Sequence, residues 1–409
     1  VFVQITHAGR HGPNDTHGLP AWGPSAIPWH SGAEVPHAIT RAEMVEVRDA
    51  YVATAEMALE AGLEGLEVHL GHGHLLHQFL SPAANTRDDD WGGSVERRRR
   101  YPMEVLGAVL DAVGGRMAVG VRMSVDDLTA GALGQEDQRE IARAAAALPG
   151  LAFVNASVAA YQWPSIGHHV ADMAHPPHPF RDLTEALRPA IGEVPLLTAN
   201  RYRTIAEAEE TLARGAIDMV GMNRAQMADP DLIVKSVVGR EDEVRPCIAH
   251  NFCIGRIGAH QPIRCMMNGA VGREQRWSDP PERTPERRVL VIGAGPAGLE
   301  AARVAALAGH SVTVWEREAE PGGKLAICAA GKGRGDIAAM QDWLLSAVAR
   351  AGVEVVTNCE AAVDAVRAAR VDAVLLAAGA RDVIAPLPGA APITPSAALE
   401  RPRDDWRGM

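Results

Sequence analysis

The chain has 409 residues, room for two or three domains, with 47% apolar and 22% charged residues and a formal net charge of −11. The apolar share is enough for sizeable cores, and the acidic balance excludes nucleic acid and anionic membrane surfaces as partners. No apolar run reaches transmembrane length. Two of the five cysteines, Cys328 and Cys359, stand alone, which fits a reducing cytoplasm better than a disulfide framework.

The chain opens on VFVQIT, without Met, in what reads as a buried strand; it is expected to be a fragment or a chain trimmed at the front. Residues 7–39 are rich in Gly, Pro and His and predict a long loop, of a length usually kept for function. Thr40 and Glu43 form a capping box that opens a helix to about Gly62. LEVHL (66–70) is a short strand, and residues 71–93 a second long loop. A helix over 94–113 carries the basic run Arg97–Arg100, expected as a solvated face. MAVGVRM (117–123) is an apolar strand of the buried parallel kind. Helices over 135–148, 181–191, 204–215 and 229–239 then alternate with strands over 151–155, 194–198 and 217–222, with a His/Pro-rich loop at 168–180.

Six β and α units in strict alternation imply a parallel sheet. With long loops after the strands, they suit most of a (β/α)8 TIM barrel whose first two units are missing; a six-unit open sheet is the plainer alternative. Polar residues gather at the strand ends: Gln4, His69, His72, Arg122, Arg201 and Arg224. The triplet His69, His72, His74 shares one pocket only if the chain turns after Leu70, and zinc on these histidines is conceivable but lacks a carboxylate at ligand spacing.

Residues 245–273 hold Cys247, His250, Cys253 and Cys265 in the pattern C-x2-H-x2-C-x11-C. Such spacing holds zinc or an iron–sulfur cluster. A Pro- and charge-rich linker follows (272–288). Then Gly293-x-Gly295-x-x-Gly298 sits between a strand and an Ala-rich helix, the geometry that brings backbone close to a pyrophosphate at a helix N-terminus. Glu316, 18 residues past Gly298, is placed to accept a ribose hydroxyl. Gly322, Gly323 and Lys324, with the later strand VLLAAGA (374–380), favour FAD over NAD. A metal centre between two cofactor domains suggests an electron relay. The expected domains are 1–244, 245–287 and 288–409.

The stretches VQITHAGR, GPSAIP, PHAIT, EVHLGHGHLLHQFLSPAANTRDDDWGGSVERR, VGVRMS, TANRY, GMNRAQMADPDL, CIAHNFCIGR and GAGPAG resemble the NADH:flavin oxidoreductase group related to old yellow enzyme. The likeness is to its multidomain branch, which contains 2,4-dienoyl-CoA reductase and trimethylamine dehydrogenase, and spans roughly residues 1–390. It implies an FMN barrel, a [4Fe-4S] cluster and an incomplete Rossmann-like FAD-binding domain. It implies that Gln4 meets the flavin pyrimidine, and that Arg122 stands beside flavin N1. Asn200, Arg201, Asn223 and Arg224 would grip the phosphate, and His69 and His72 would hydrogen-bond a substrate carbonyl.

The chain departs from the family at His74, where a proton-donating Tyr is usual, with Tyr161 a possible substitute. It departs again at His250, where a cluster Cys is usual; the cluster is then His-ligated, absent, or replaced by zinc. The resemblance implies NAD(P)H-dependent reduction of an activated C=C bond in a small molecule. One alternative is an amine dehydrogenase delivering electrons to a carrier protein, with Trp22, Trp29 or Trp163 caging a methylated ammonium; another is a non-catalytic flavin-binding fragment. A homo-oligomer is compatible with all three.

Overall fold

The structure, a computed structural model, describes residues 1–12, 18, 20–380, 383 and 393–400. Parts of the expected loop 7–39 and the C-terminal end of the expected domain 288–409 therefore lie outside the described residues. The chain divides into two compact units. The first comprises Val1–Ala171, Pro177–Tyr202 and Ala206–Met222, and the second Asp172–Pro176, Arg203–Ile205 and the chain from Asn223 on.

Six parallel strands build the first unit: β1 Phe2–Ile5, β2 Gly65–His69, β3 Ala118–Ser124, β4 Leu151–Ser157, β5 Leu196–Thr198 and β6 Met219–Val220. They pair in chain order, each beside the next, as six of the eight β/α units of a TIM barrel do. Alternation along each strand separates two faces. Leu66, Val68, Val119, Val121 and Val154 join the buried core beneath the helices.

The opposite face is layered. At the bottom, glycines leave room for rings: a Cβ on Gly65 would meet the Phe2 ring at 2.4 Å, and one on Gly120 the Phe153 ring at 2.3 Å. The two rings stand 5.8 Å apart. In the next layer Gln4 faces Glu67 across the β1–β2 register. Above that, His69, Arg122 and Asn155 stand level on adjacent strands.

The capping box forms as expected, with Thr40 N–H donating to Glu43 at 2.7 Å ahead of the helix Arg41–Glu60. Several expectations are corrected. The loop 71–93 contains the helix Leu75–Leu80, every residue of which is buried; six residues are too few to show a period. The helix expected over 181–191 is two short ones, Arg181–Glu185 and Arg188–Ile191, the second with Pro189 in its first turn, where the absent N–H ends the first helix's ladder. The helix over 229–239 shrinks to Leu232–Val237. Nor is the whole run Arg97–Arg100 a solvated face: Arg98 is buried and donates to the carbonyls of Leu80 and Gly93. Its guanidinium ties the end of the helix Leu75–Leu80 to Gly93.

A second, four-stranded parallel sheet organises the other unit: β7 Arg288–Ile292, β8 Ser311–Trp315, β9 Glu354–Val356 and β10 Ala373–Leu376, in the order β9-β8-β7-β10. That is the strand order of one half of a dinucleotide-binding fold. The strand expected over 374–380 ends at Leu376. Among the described residues, no helix is long and apolar enough to cross a membrane.

Candidate active site and cofactor cradles

The end of β2 explains how three histidines meet. After Leu70 the chain reverses through His72 and Gly73, both at positive φ (58° and 82°). Gly73 is held on both sides: its N–H donates to His77 Nδ1 at 3.1 Å and its carbonyl accepts from Gln78 Nε2 at 2.6 Å. Because His77 Nδ1 accepts, its Nε2 carries the proton and donates to Asp127 Oδ1 at 2.9 Å. His77 and Asp127 are each 1% exposed, so this pair anchors the turn from within the core. A backbone bond from Tyr161 N–H to the His72 carbonyl, 3.1 Å, splices the loop after β4 onto the same turn.

The expected catalytic candidates are thereby brought together. His72 Nδ1 stands 3.1 Å from His69 Nε2, and His72 Nε2 2.8 Å from Ser157 Oγ. The His69 and His74 rings are 4.7 Å apart. Tyr161 is edge-on to His74 at 5.3 Å, and its hydroxyl lies 3.0 Å from His169 Nε2. Both nitrogens of His72 are engaged, so the expectation that His69 and His72 act as an equal pair on a ligand meets a different geometry. Among the described residues, the buried ring atoms of this cluster without a hydrogen-bond partner are Nδ1 of His11, His69, His74 and His169.

Burial is the first cause of the electrostatics. It pulls His69 down to about 2, His11 to about 3, and His74 and His169 each to about 4, with neighbouring imidazoles and, for His69 and His169, Arg122 adding to the effect. His72 is pushed well below its ordinary value, again by burial first. The cluster is neutral at physiological pH. Burial raises the Tyr161 pKa, so its hydroxyl keeps its proton. Burial also lowers the Arg122 pKa, opposed by Glu67. Three histidines at such spacing suggested zinc, yet among the described residues no group of three His, Cys, Asp or Glu side chains could hold a metal ion.

Sequence reasoning missed Glu67, Asn155, Ser157, His169 and His11. Glu67 accepts from Gln4 Nε2 at 2.6 Å and from Asn155 Nδ2 at 2.7 Å, so Gln4 is held by a carboxylate. The EVH sequence of β2 carried a signal, since Glu67 and His69 share a face at period 2. Asn200 and Arg201, both at positive φ (98° and 65°), turn the chain after β5. Asn200 Oδ1 accepts from Ala171 N–H at 3.0 Å, fastening the segment that carries His169. Asn223 and Arg224 belong to the second unit, at the start of the helix Asn223–Ala228.

In that second unit Cys247, His250, Cys253 and Cys265 line one small cavity together with Arg224. Burial raises the Cys247 and Cys253 thiols, while Arg224 pulls them down. His250 is exposed and the three cysteines are half-buried. A four-iron cluster takes each ligand on a separate iron, so its ligands stand farther apart than those of one ion. Three thiols and one imidazole are donor types that such a cluster accepts, although among the described residues no three-residue group, these four included, could hold a metal ion.

The nucleotide cradle is formed by contacts that exclude side chains. A Cβ on Gly298 would lie 1.9 Å from the Gly293 carbonyl, and one on Gly293 2.5 Å from the Ala377 carbonyl, whereas at Gly295 it would meet open space. Gly323 backs onto Gly295, where a Cβ would meet its Cα at 3.1 Å. Lys324 stands at the N-terminus of the short helix Leu325–Ala329. Glu316 accepts from Ala294 N–H at 2.7 Å and Glu318 N–H at 3.0 Å; its first structural role is to shape the glycine loop. These residues fit a flavin dinucleotide at the open side of Gly295.

Residues 1–243 match the NADH:flavin oxidoreductase / NADH oxidase family, and residues 287–402 match pyridine nucleotide-disulphide oxidoreductase. A "Metal reductase" of Desulforamulus reducens is 34% identical over 95% of this chain and 58% of its own length. A "Multifunctional alkene reductase/demethylase OYE" of Caballeronia cordobensis is 34% identical over 95% of this chain and 57% of its own. A solved 2-naphthoyl-CoA reductase in complex with 2-naphthoyl-CoA superposes with a TM-score of 0.87 at 27% identity, covering 94% of this chain and 60% of that one. The chain thus spans less than two thirds of the relatives it matches. It belongs to the NADH:flavin oxidoreductase / NADH oxidase family of FMN-dependent oxidoreductases, in the branch that joins this barrel to a second flavin-binding domain.

Proposed function

We propose that this chain is the flavin- and iron–sulfur-dependent part of an NAD(P)H-dependent reductase of an activated C=C bond, in an enone or enoyl thioester. The observation that carries the reading is His69: 3% exposed, neutral, and with a buried Nδ1 that lacks a hydrogen-bond partner. A buried polar atom left unpaired is costly, and a ligand oxygen relieves that cost. His74 Nδ1 supplies the second contact. His72 orients His69 rather than touching the ligand.

Two aimed dipoles at the carbonyl oxygen stabilise the charge that develops there when the β-carbon is attacked. FMN, when bound, supplies the hydride, with Gln4 and Arg122 on the barrel's inner face as its contacts. Asn200, Arg201, Asn223 and Arg224 stay proposed as its phosphate grip. Protonation of the α-carbon falls to Tyr161. His74, lowered to about 4, is neutral at pH 7 and a poor acid, whereas Tyr161 retains its proton. A [4Fe-4S] cluster on Cys247, His250, Cys253 and Cys265 would supply one-electron transfer between the two flavins, with FAD on Gly293, Gly295, Gly298, Glu316, Gly323 and Lys324. Five free thiols fit a cytoplasmic setting.

One feature favours a second reading, an amine dehydrogenase. Trp29 stands 4.4 Å from His11 within the cluster, and an aromatic face attracts a methylated ammonium. Trp163 is 81% exposed and lies too far out in solvent for that role. The test is anaerobic mixing of the flavin-loaded protein. Under the first reading, 2-cyclohexenone or a cinnamoyl thioester reoxidises the NAD(P)H-reduced protein and dimethylamine bleaches nothing; the reverse pattern overturns it.

A further inference from the structure

The geometry points to Ser157 as the residue that fixes what His69 offers its ligand, an inference that rests on the reading of His69 as the ligand's partner. Arg122 Nη2 can only donate, and it lies 3.3 Å from Ser157 Oγ. Ser157 Oγ lies 2.8 Å from His72 Nε2, and His72 Nδ1 3.1 Å from His69 Nε2.

With Arg122 donating to its oxygen, Ser157 turns its own proton toward His72 Nε2. His72 is neutral, so its single proton then sits on Nδ1 and points at His69 Nε2. His69 is neutral too, and its proton is left on Nδ1, the buried atom without a partner. Each hydroxyl and imidazole keeps one proton, and all three hydrogen bonds are satisfied. The opposite polarity would put protons on His72 Nε2 and His69 Nε2. Ser157 would then accept from both His72 and Arg122, and its own hydrogen would need another acceptor, while the described bonds provide none. The tautomer of each ring is set by the bond its other nitrogen makes.

His69 therefore presents a fixed N–H. It takes a ligand that accepts, such as a carbonyl or carboxylate oxygen, and rejects one that only donates, such as an ammonium. Ser157, 6% exposed at the end of β4, is a specificity-determining residue that never touches the ligand.

The test is 15N NMR of the 409-residue chain with labelled histidine, together with binding of cyclohexanone and dimethylammonium. In the wild type, His69 is expected to be protonated on Nδ1, with cyclohexanone shifting that signal and dimethylammonium leaving it in place. Ser157→Ala should mix the two His69 tautomers and weaken cyclohexanone about tenfold, the scale of one hydrogen bond. Ser157→Thr, which keeps the hydroxyl, should restore both. Should Ser157→Ala not fold, Ser157→Cys, of similar size and a weaker donor, should give partial mixing. Protonation of wild-type His69 on Nε2 overturns the inference, as does a Ser157→Ala or Ser157→Cys chain with wild-type tautomer and affinity. If cyclohexanone moves no His69 signal even in the wild type, the ligand role of His69 fails first and takes the Ser157 inference with it.

Discussion

The histidine cluster of the first unit and the cysteine loop of the second solve opposite problems. The cluster draws His11, the His69–His74 turn and the Tyr161–His169 loop together and fixes them by bonds within the protein, among them the buried His77–Asp127 pair beneath the turn. Its ring atoms are set by bonds already present in the protein. The cysteine loop takes its four residues from one short stretch and leaves them half-buried or exposed, with Arg224 and backbone N–H groups such as that of Met267 beside them. Tertiary bonds hold the one; under the proposed function, a bound cluster would organise the other. Preorganisation suits a site that polarises a substrate, and metal-dependent order suits a site whose contents are inserted.

The largest effect that would break this contrast is on the loop. Cys253→Ser should abolish iron and acid-labile sulfide in the reconstituted protein, while His250→Cys should retain or raise them; elemental analysis and the visible absorption band decide. Unchanged iron in Cys253→Ser would remove the loop from the metal site. On the cluster side, Asp127→Ala strands the His77 Nε2–H and the Leu133 N–H that donate to it. A loss of about 3 kcal/mol in denaturant unfolding is expected.

Acid should sharpen the comparison next. Histidines whose folded pKa values lie below 6.5 bind fewer protons in the folded state than in the unfolded one. Stability then rises with pH across the window between those values. On acidification the first unit should lose stability from about pH 6.5 downward, continuing through about pH 4, where His74 and His169 titrate. Thermal melts at pH 7, 5.5 and 4.5 would show it, and a flat profile would mean that the imidazoles are not held neutral. The smallest effect is a control far from both sites: Thr40→Ala, which removes one side of a capping box, should cost about 1 kcal/mol.

What could be read in the sequence tracks how local the cause was. The β/α alternation, the capping box at Thr40, the glycine fingerprint and the crowding of cysteines are all patterns within a few residues. Their elements appear where expected, with ends shifted by proline or by short runs. The meeting of His69 with His74 was legible only as a condition, that the chain turn after Leu70, because nothing in HLGHGH states that Gly73 will be clamped by His77 and Gln78. Ser157 and His169 were invisible because their roles depend on strand neighbours and a loop dozens of residues away. Arg98 was misread for a related reason: a run of four arginines looks solvated until the carbonyls of Leu80 and Gly93 need a donor.

The most direct test of the central claim, that neutral His69 polarises a substrate carbonyl, is a single-turnover comparison of His69→Ala with the wild type. NAD(P)H-reduced, flavin-loaded protein is mixed anaerobically with 2-cyclohexenone, and flavin reoxidation is followed. The account predicts a fall of roughly a hundredfold or more in that step, with the rate of flavin reduction by NAD(P)H unchanged. Reoxidation at the wild-type rate in His69→Ala would contradict it.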